Sequence, residues 1–164
     1  MNRNGTIRRG IILTLVAAIL ISGCGSAGAE ILLTQDTDAI LPDGVHRMTL
    51  PAGMISLTPG TDEPDLKGIF QREPDLEMLV YAYDAQGATI EGTAEKLRNA
   101  GRDAELRRIG DEIFLAFRDR DDADNAPCIG YAYLYEGWMI EIAFFYSTNE
   151  AGEMTKTIME SFRE

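Results

Sequence analysis

The stretch "YLYEGWMIEIAFFYS", residues 133–147, decides the fold. Two runs rich in aromatic and β-branched residues flank Glu136-Gly137, and side chains of such runs suit a pleated surface. A two-residue turn at Glu136-Gly137 pairs Tyr135 with Trp138, Tyr133 with Ile140 and Tyr131 with Ile142, all on one face. Glu141 then lies opposite Ala132 on the other face, where it is expected to point to water. The hairpin is thus part of an antiparallel sheet rather than a pair of helices.

Working outward, "NEAGEMTKTIMESF" (149–162) follows directly, with Ala151, Met154, Ile158 and Phe162 at helical intervals and Ser147 and Glu150 at capping-box spacing. On the other side, "AELRRI" and "EIFLAFR" flank Gly110-Asp111, a second two-residue hairpin turn. A lone helix is expected in "TIEGTAEKLRNAG" (89–101): Thr89 caps it, Ile90, Ala94 and Leu97 form its apolar face, and Gly101 ends it. Earlier strands are expected in "VHRMTL", "MISLT", "KGIFQRE" and "EMLVYAYD". The predicted class is α+β, an antiparallel sheet with helices packed on it.

The chain opens on Arg3, Arg8 and Arg9, followed by an apolar run from Ile11 to Ile21 that only Thr14 interrupts. A run of that length is too short to span a bilayer, which takes about 20 residues, and reads as an export signal. Ile21-Ser22-Gly23-Cys24 resembles the lipobox of bacterial lipoproteins, which implies that Cys24 is lipidated and becomes the first residue. An ordinary signal peptide cut near Ala27-Gly28-Ala29, or an uncleaved anchor, is the alternative. Residues 24–44 are expected to be a tether spanning roughly 25 Å, with its apolar pieces Ile31–Leu33 and Ile40–Leu41 able to dock on the domain. Residues 45–164 are the expected globular domain.

The charge is −12 at pH 7 over the full chain, and becomes −15 once the three arginines of residues 1–23 are removed. That sign argues against nucleic acid and against adsorption on an anionic membrane. With Cys24 lipidated, Cys128 has no disulfide partner within the chain and is expected to be a small buried hydrophobe.

Candidate sites are few. Asp119, Asp121, Asp122 and Asp124 in "RDRDDADNAP" are the right ligand type for Ca²⁺, but their spacing excludes an EF-type loop, leaving a weak metal candidate within a solvated loop. His46, the one histidine, is expected at a strand end near the surface, and one histidine builds neither a zinc site nor, by itself, a triad. No phosphate loop, dinucleotide fingerprint or nucleophile elbow occurs, and no cofactor is implied. Tyr131, Tyr133, Tyr135 and Trp138 form an aromatic face that is either core or, where uncovered, a ligand surface.

The succession of "MTLPAGMISLTPG" (48–60), the lone helix of 89–101, and the hairpin running into the last helix resembles the PsbP/Mog-like family over residues 45–164. That resemblance implies an α/β/α sandwich used for binding or assembly, with no catalytic residues to carry over and no partner motif to transfer. The expectation is a lipid-anchored, extracytoplasmic, non-enzymatic module gripping an envelope protein or small ligand. An envelope hydrolase using surface carboxylates near Asp119 or Glu141 is the alternative, while a two-lobed solute receptor is disfavoured by size.

Overall fold

A computed structural model of the chain describes residues 29–120 and 127–164. Among the described residues, six strands are followed by a helix, four more strands and a second helix. The strands are β1 (Glu30–Leu32), β2 (Thr37–Ile40), β3 (Arg47–Leu50), β4 (Ile55–Leu57), β5 (Leu66–Arg72), β6 (Leu76–Asp84), β7 (Asp103–Ile109), β8 (Glu112–Arg120), β9 (Pro127–Tyr135) and β10 (Trp138–Tyr146). Helix α1 (Ile90–Asn99) lies between β6 and β7, and α2 (Asn149–Glu160) follows β10.

Eight strands form one antiparallel sheet in the order β1-β4-β5-β6-β10-β9-β8-β7, and β2 and β3 form a separate two-stranded sheet. The central hairpin has the register read from its sequence: Trp138 pairs with Tyr135, Ile140 with Tyr133, Glu141 with Ala132 and Ile142 with Tyr131. Glu136 and Gly137 sit at φ +47 and +86, the left-handed pair that a type I′ turn requires and that matches strand twist. At the Gly110-Asp111 hairpin only Gly110 has a positive φ, +59, so glycine in the first position makes a type II′ turn there.

The sheet has two unlike faces. Met78, Val80, Ile140, Ile142, Phe144, Tyr131, Tyr133 and Phe114 form the main core together with Met48 and Leu50 of β3 and Ala151, Ile158 and Met159 of α2. On the opposite face Leu115, Phe117, Ala132 and Met139 pack under Ile90, Ala94 and Leu97 of α1. The result is α1 on one side of the sheet and α2 with the β2–β3 pair on the other. Gly130 marks how close this packing is, since a Cβ there would lie 2.1 Å from the Phe117 ring.

The helix caps follow hydrogen-bond need. Thr89 accepts from Gly92 N–H and opens α1, and Gly101 at φ +79 follows its end. At α2 the cap is Thr148, not Ser147: the Thr148 hydroxyl accepts from Ala151 N–H at 3.1 Å and donates to Asp75 at 2.7 Å. The second contact, across the fold, selects between two residues that are both good caps.

The segment read as a tether is structural from Glu30 onward. β1 pairs with β4, β2 pairs with β3, and the loop between them is tied down by Leu33 N–H to Met54 O and by Ala52 N–H to Asp36 Oδ1. Leu41 is buried in the main core while Ile31, Leu32 and Ile40 stay exposed. The folded domain therefore includes residues that the boundary at 45 left out. Backbone pairing holds them in place more than side-chain burial does, which is why their hydropathy did not show it.

Candidate binding face

Helix α1 has ten residues, about 15 Å of length and roughly 10 Å of width, whereas an eight-stranded sheet is about 34 Å across. One such helix covers only part of a face. It packs on β7, β8 and β9 and over Met139 of β10, and the same face of β4, β5, β6 and the rest of β10 extends beyond it. The register places Leu57, Ile69, Leu79 and Ala143 in one row across those strands, with Tyr81 and Glu141 side by side in the adjacent row. Leu57, Ile69, Leu79, Tyr81, Tyr83 and Phe145 are all half-buried.

At the border between the covered and uncovered parts lies Glu141, 1% exposed. Its Oε2 accepts the Tyr83 hydroxyl at 3.0 Å, and its Oε1 has no hydrogen-bond partner among the described residues. Burial pushes the Glu141 pKa up to about 7, the Tyr83 hydrogen bond offsetting part of that rise. The Tyr83 hydroxyl is raised in turn, by burial first and then by the Glu141 carboxyl and Asp65. Tyr81 is raised by burial and by Glu63, Glu141 and Glu77. Glu141 does not point to water as its sequence context suggested, and it is not a surface carboxylate of the kind the hydrolase reading needs. Leu115, Ala132 and Met139 beside it are sealed under α1.

The opposite face carries a second polar group, wholly enclosed. His46 is 1% exposed rather than at the surface. Its Nδ1 lies 2.7 Å from Asp43 Oδ2, an oxygen that also accepts the Tyr133 hydroxyl at 2.5 Å. Asp43 Oδ1 accepts the backbone N–H groups of Val45 and His46, both at 3.0 Å. Burial raises the Asp43 carboxyl, but hydrogen bonds from Tyr133, Val45 and His46 outweigh it and hold the pKa below the usual carboxylate value. The His46 ring stacks on Phe162 at 4.8 Å and meets Tyr133 and Tyr135 edge-on. An Asp–His pair invites a catalytic reading, yet both side chains are closed off, 2% and 1% exposed. Geometry makes it a fastener joining the β2–β3 turn to β9 and the chain end.

The aromatic residues singled out from the sequence divide accordingly. Tyr131 and Tyr133 are core, at 3% and 0% exposure, so neither can meet a ligand on the surface. Tyr135 is half-buried against His46, and Trp138 is 51% exposed at the turn. The open aromatic positions are instead Tyr81, Tyr83 and Phe145 of the other face. The signal for them was present in "EMLVYAYD": β6 is apolar at both parities, so its strand needs cover on both sides, and one ten-residue helix cannot supply it. Asp119 is the penultimate residue of β8, its backbone paired with Cys128; Asp121, Asp122 and Asp124, like Cys24, lie outside the described residues. Cys128 itself is buried. No group of three or more His, Cys, Asp or Glu side chains placed to hold a metal occurs among the described residues.

Comparison with profiles of known protein families finds no match, and neither does comparison with curated protein sequences. Solved structures do match. The solution structure of the cyanobacterial PsbP protein CyanoP from Synechocystis sp. PCC 6803 superposes with a TM-score of 0.59 at 15% identity, over 87% of this chain and 98% of that one. A protein from Bacteroides thetaiotaomicron VPI-5482 superposes with a TM-score of 0.53 at 11% identity over 80% of this chain; the match takes in 48% of that protein, about half its length. At these identities the likeness is one of fold, and the fold of this chain is PsbP-like, α+β with a mostly antiparallel sheet.

Proposed function

We propose that this chain is a lipid-anchored, extracytoplasmic bacterial lipoprotein whose PsbP-like domain is a non-enzymatic binding or assembly module, gripping its partner through the uncovered face of β4, β5, β6 and β10. The observation that carries the reading is that face itself: Ile69, Leu79, Tyr81 and Phe145 stand half-buried beside the part that α1 covers. Clustered apolar side chains on a sheet mark an interaction surface more often than isolated ones do. The sealed Asp43–His46 pair supports binding over catalysis, since a reacting group must reach its substrate. Anchoring rests on Arg3, Arg8 and Arg9, the apolar run of 11–21, and the lipobox ending in Cys24.

Two measurements test the two halves. Metabolic labelling with a clickable fatty acid in bacteria is expected to mark the wild-type protein and to leave Cys24→Ala unmarked; an unlabelled wild type overturns the anchor. A photo-reactive residue at position 81 or 145 is expected to crosslink a partner in intact cells, while one at Ile40, 71% exposed on the β2–β3 side, captures none. Equal capture from all three positions would remove the face as the site.

A further inference from the structure

The uncovered face has a chemical preference. Apolar side chains make most of it, yet a carboxyl is buried at its border with one oxygen, Glu141 Oε1, lacking a donor among the described residues. A buried acceptor left unmet is costly, and a group that brings a donor removes the cost. The carboxylates acting on the flanking Tyr81 and Tyr83 rings are Glu63, Asp65, Glu77 and Glu141. The whole chain is acidic too, at −12. An anionic occupant would meet repulsion from each of these, and a purely apolar one would leave Oε1 unmet.

Shape narrows the occupant further. Small-molecule sites are concave, whereas this face is a row of side chains, Leu57, Ile69, Leu79 and Ala143, carried across four adjacent strands. A strand-lined face of this breadth fits a protein segment. We propose that this face docks a partner protein that presents a lysine side chain amid apolar residues, its ammonium pairing with Glu141 while its neighbours pack on Leu79, Ile69 and Phe145. Because Glu141 is 1% exposed, docking requires a neighbouring side chain to move, and half-buried Tyr81, directly across the register, is placed to do so. The four-carbon stem of a lysine suits such a site, because it buries along apolar surface and delivers its charge at the tip. The inference rests on the binding-face reading of the Proposed function and adds the partner's chemistry to it.

The test uses n-butylammonium, the lysine side chain as a free ion, with n-butanol and butyrate as controls. The full chain, with carbon-13 in its glutamate carboxyls and tyrosine rings, is titrated at pH 8 and followed by NMR. Butylammonium is expected to give saturable shifts at Glu141, Tyr81 and Tyr83 with a Kd of roughly 10 mM, in line with the small number of its heavy atoms. Butanol and butyrate are expected to bind at least tenfold more weakly. Glu141→Gln, which keeps the shape and removes the charge, should bring butylammonium down to the level of butanol. Equal shifts from butylammonium and butanol, or an undiminished response in Glu141→Gln, overturn the cation preference. Crosslinking from positions 81 and 145 reads the face independently, so a silent titration with intact crosslinking rejects the lysine and not the face.

Discussion

Asp43 and Glu141 are two buried carboxyls with opposite consequences, because one is fully partnered and the other is not. Asp43 takes donors on both oxygens, from Tyr133, His46 and two backbone N–H groups. Asp43→Ala strands the Tyr133 hydroxyl and the His46 Nδ1 together, and urea unfolding is expected to show a loss of about 3 kcal/mol; Tyr133→Phe should lose about 1 kcal/mol. The folded pKa of Asp43 is depressed, so its contribution is present above the unfolded value near 4 and is lost as pH falls through the folded one. Glu141 runs the other way. Its pKa rises from 4.5 to about 7, so between those values the native state holds a proton that the unfolded chain has released, and stability declines as pH rises. The difference amounts to about 3 kcal/mol at 1.4 kcal/mol per unit. Glu141→Gln should therefore be more stable than wild type by up to about 3 kcal/mol at pH 8, with the gap closing toward pH 4.5. A gap that does not change with pH would show that Glu141 ionisation is not coupled to folding.

At the scale of elements, the β9–β10 hairpin is held in register by a turn whose first residue is poorly suited to it. Glu136 occupies a left-handed position, φ +47, where asparagine is better tolerated. Glu136→Asn is expected to raise the unfolding free energy read from urea titration by up to about 1 kcal/mol, and Gly137→Ala at φ +86 to lower it by a similar amount or more. This hairpin was legible from sequence because its information is local: alternation fixes the faces, and a two-residue turn fixes the register. Helix α1 was legible for the same reason, with its cap, stripe and terminal glycine all inside thirteen residues. Strands β1 and β2 were not, since their partners are chosen by backbone bonds to β4 and β3 and their side chains are largely exposed. The burial of His46 was hidden too: one partner, Asp43, is three residues away, but the ring that closes the pocket, Tyr133, is 90 positions along the chain from Asp43. Of the candidate face, the aromatic content was readable and its side was not, because which of two apolar faces a short helix leaves open is settled by tertiary packing.

At the scale of the whole molecule, an apolar sheet face and a strong negative charge act against each other. The face favours self-association, and mutual repulsion of chains at −12 opposes it. The balance shifts with pH, since the sequence pI is about 4.5 and repulsion vanishes there. The Cys24→Ala chain, which would lack the proposed lipid, makes the balance measurable in dilute solution. Light scattering on that variant is expected to report monomers at pH 8 and concentration-dependent association near pH 4.5. If the uncovered face drives the association, adding Ile69→Thr with Leu79→Thr, polar residues that still suit a strand, should keep the protein monomeric near pH 4.5 with little loss of stability, because both positions are only half-buried. The charge of the pair is unchanged, so electrostatics is held constant between the two proteins. Association of both to the same extent would place the adhesive surface elsewhere, with the exposed Ile31 and Ile40 as the next positions to replace.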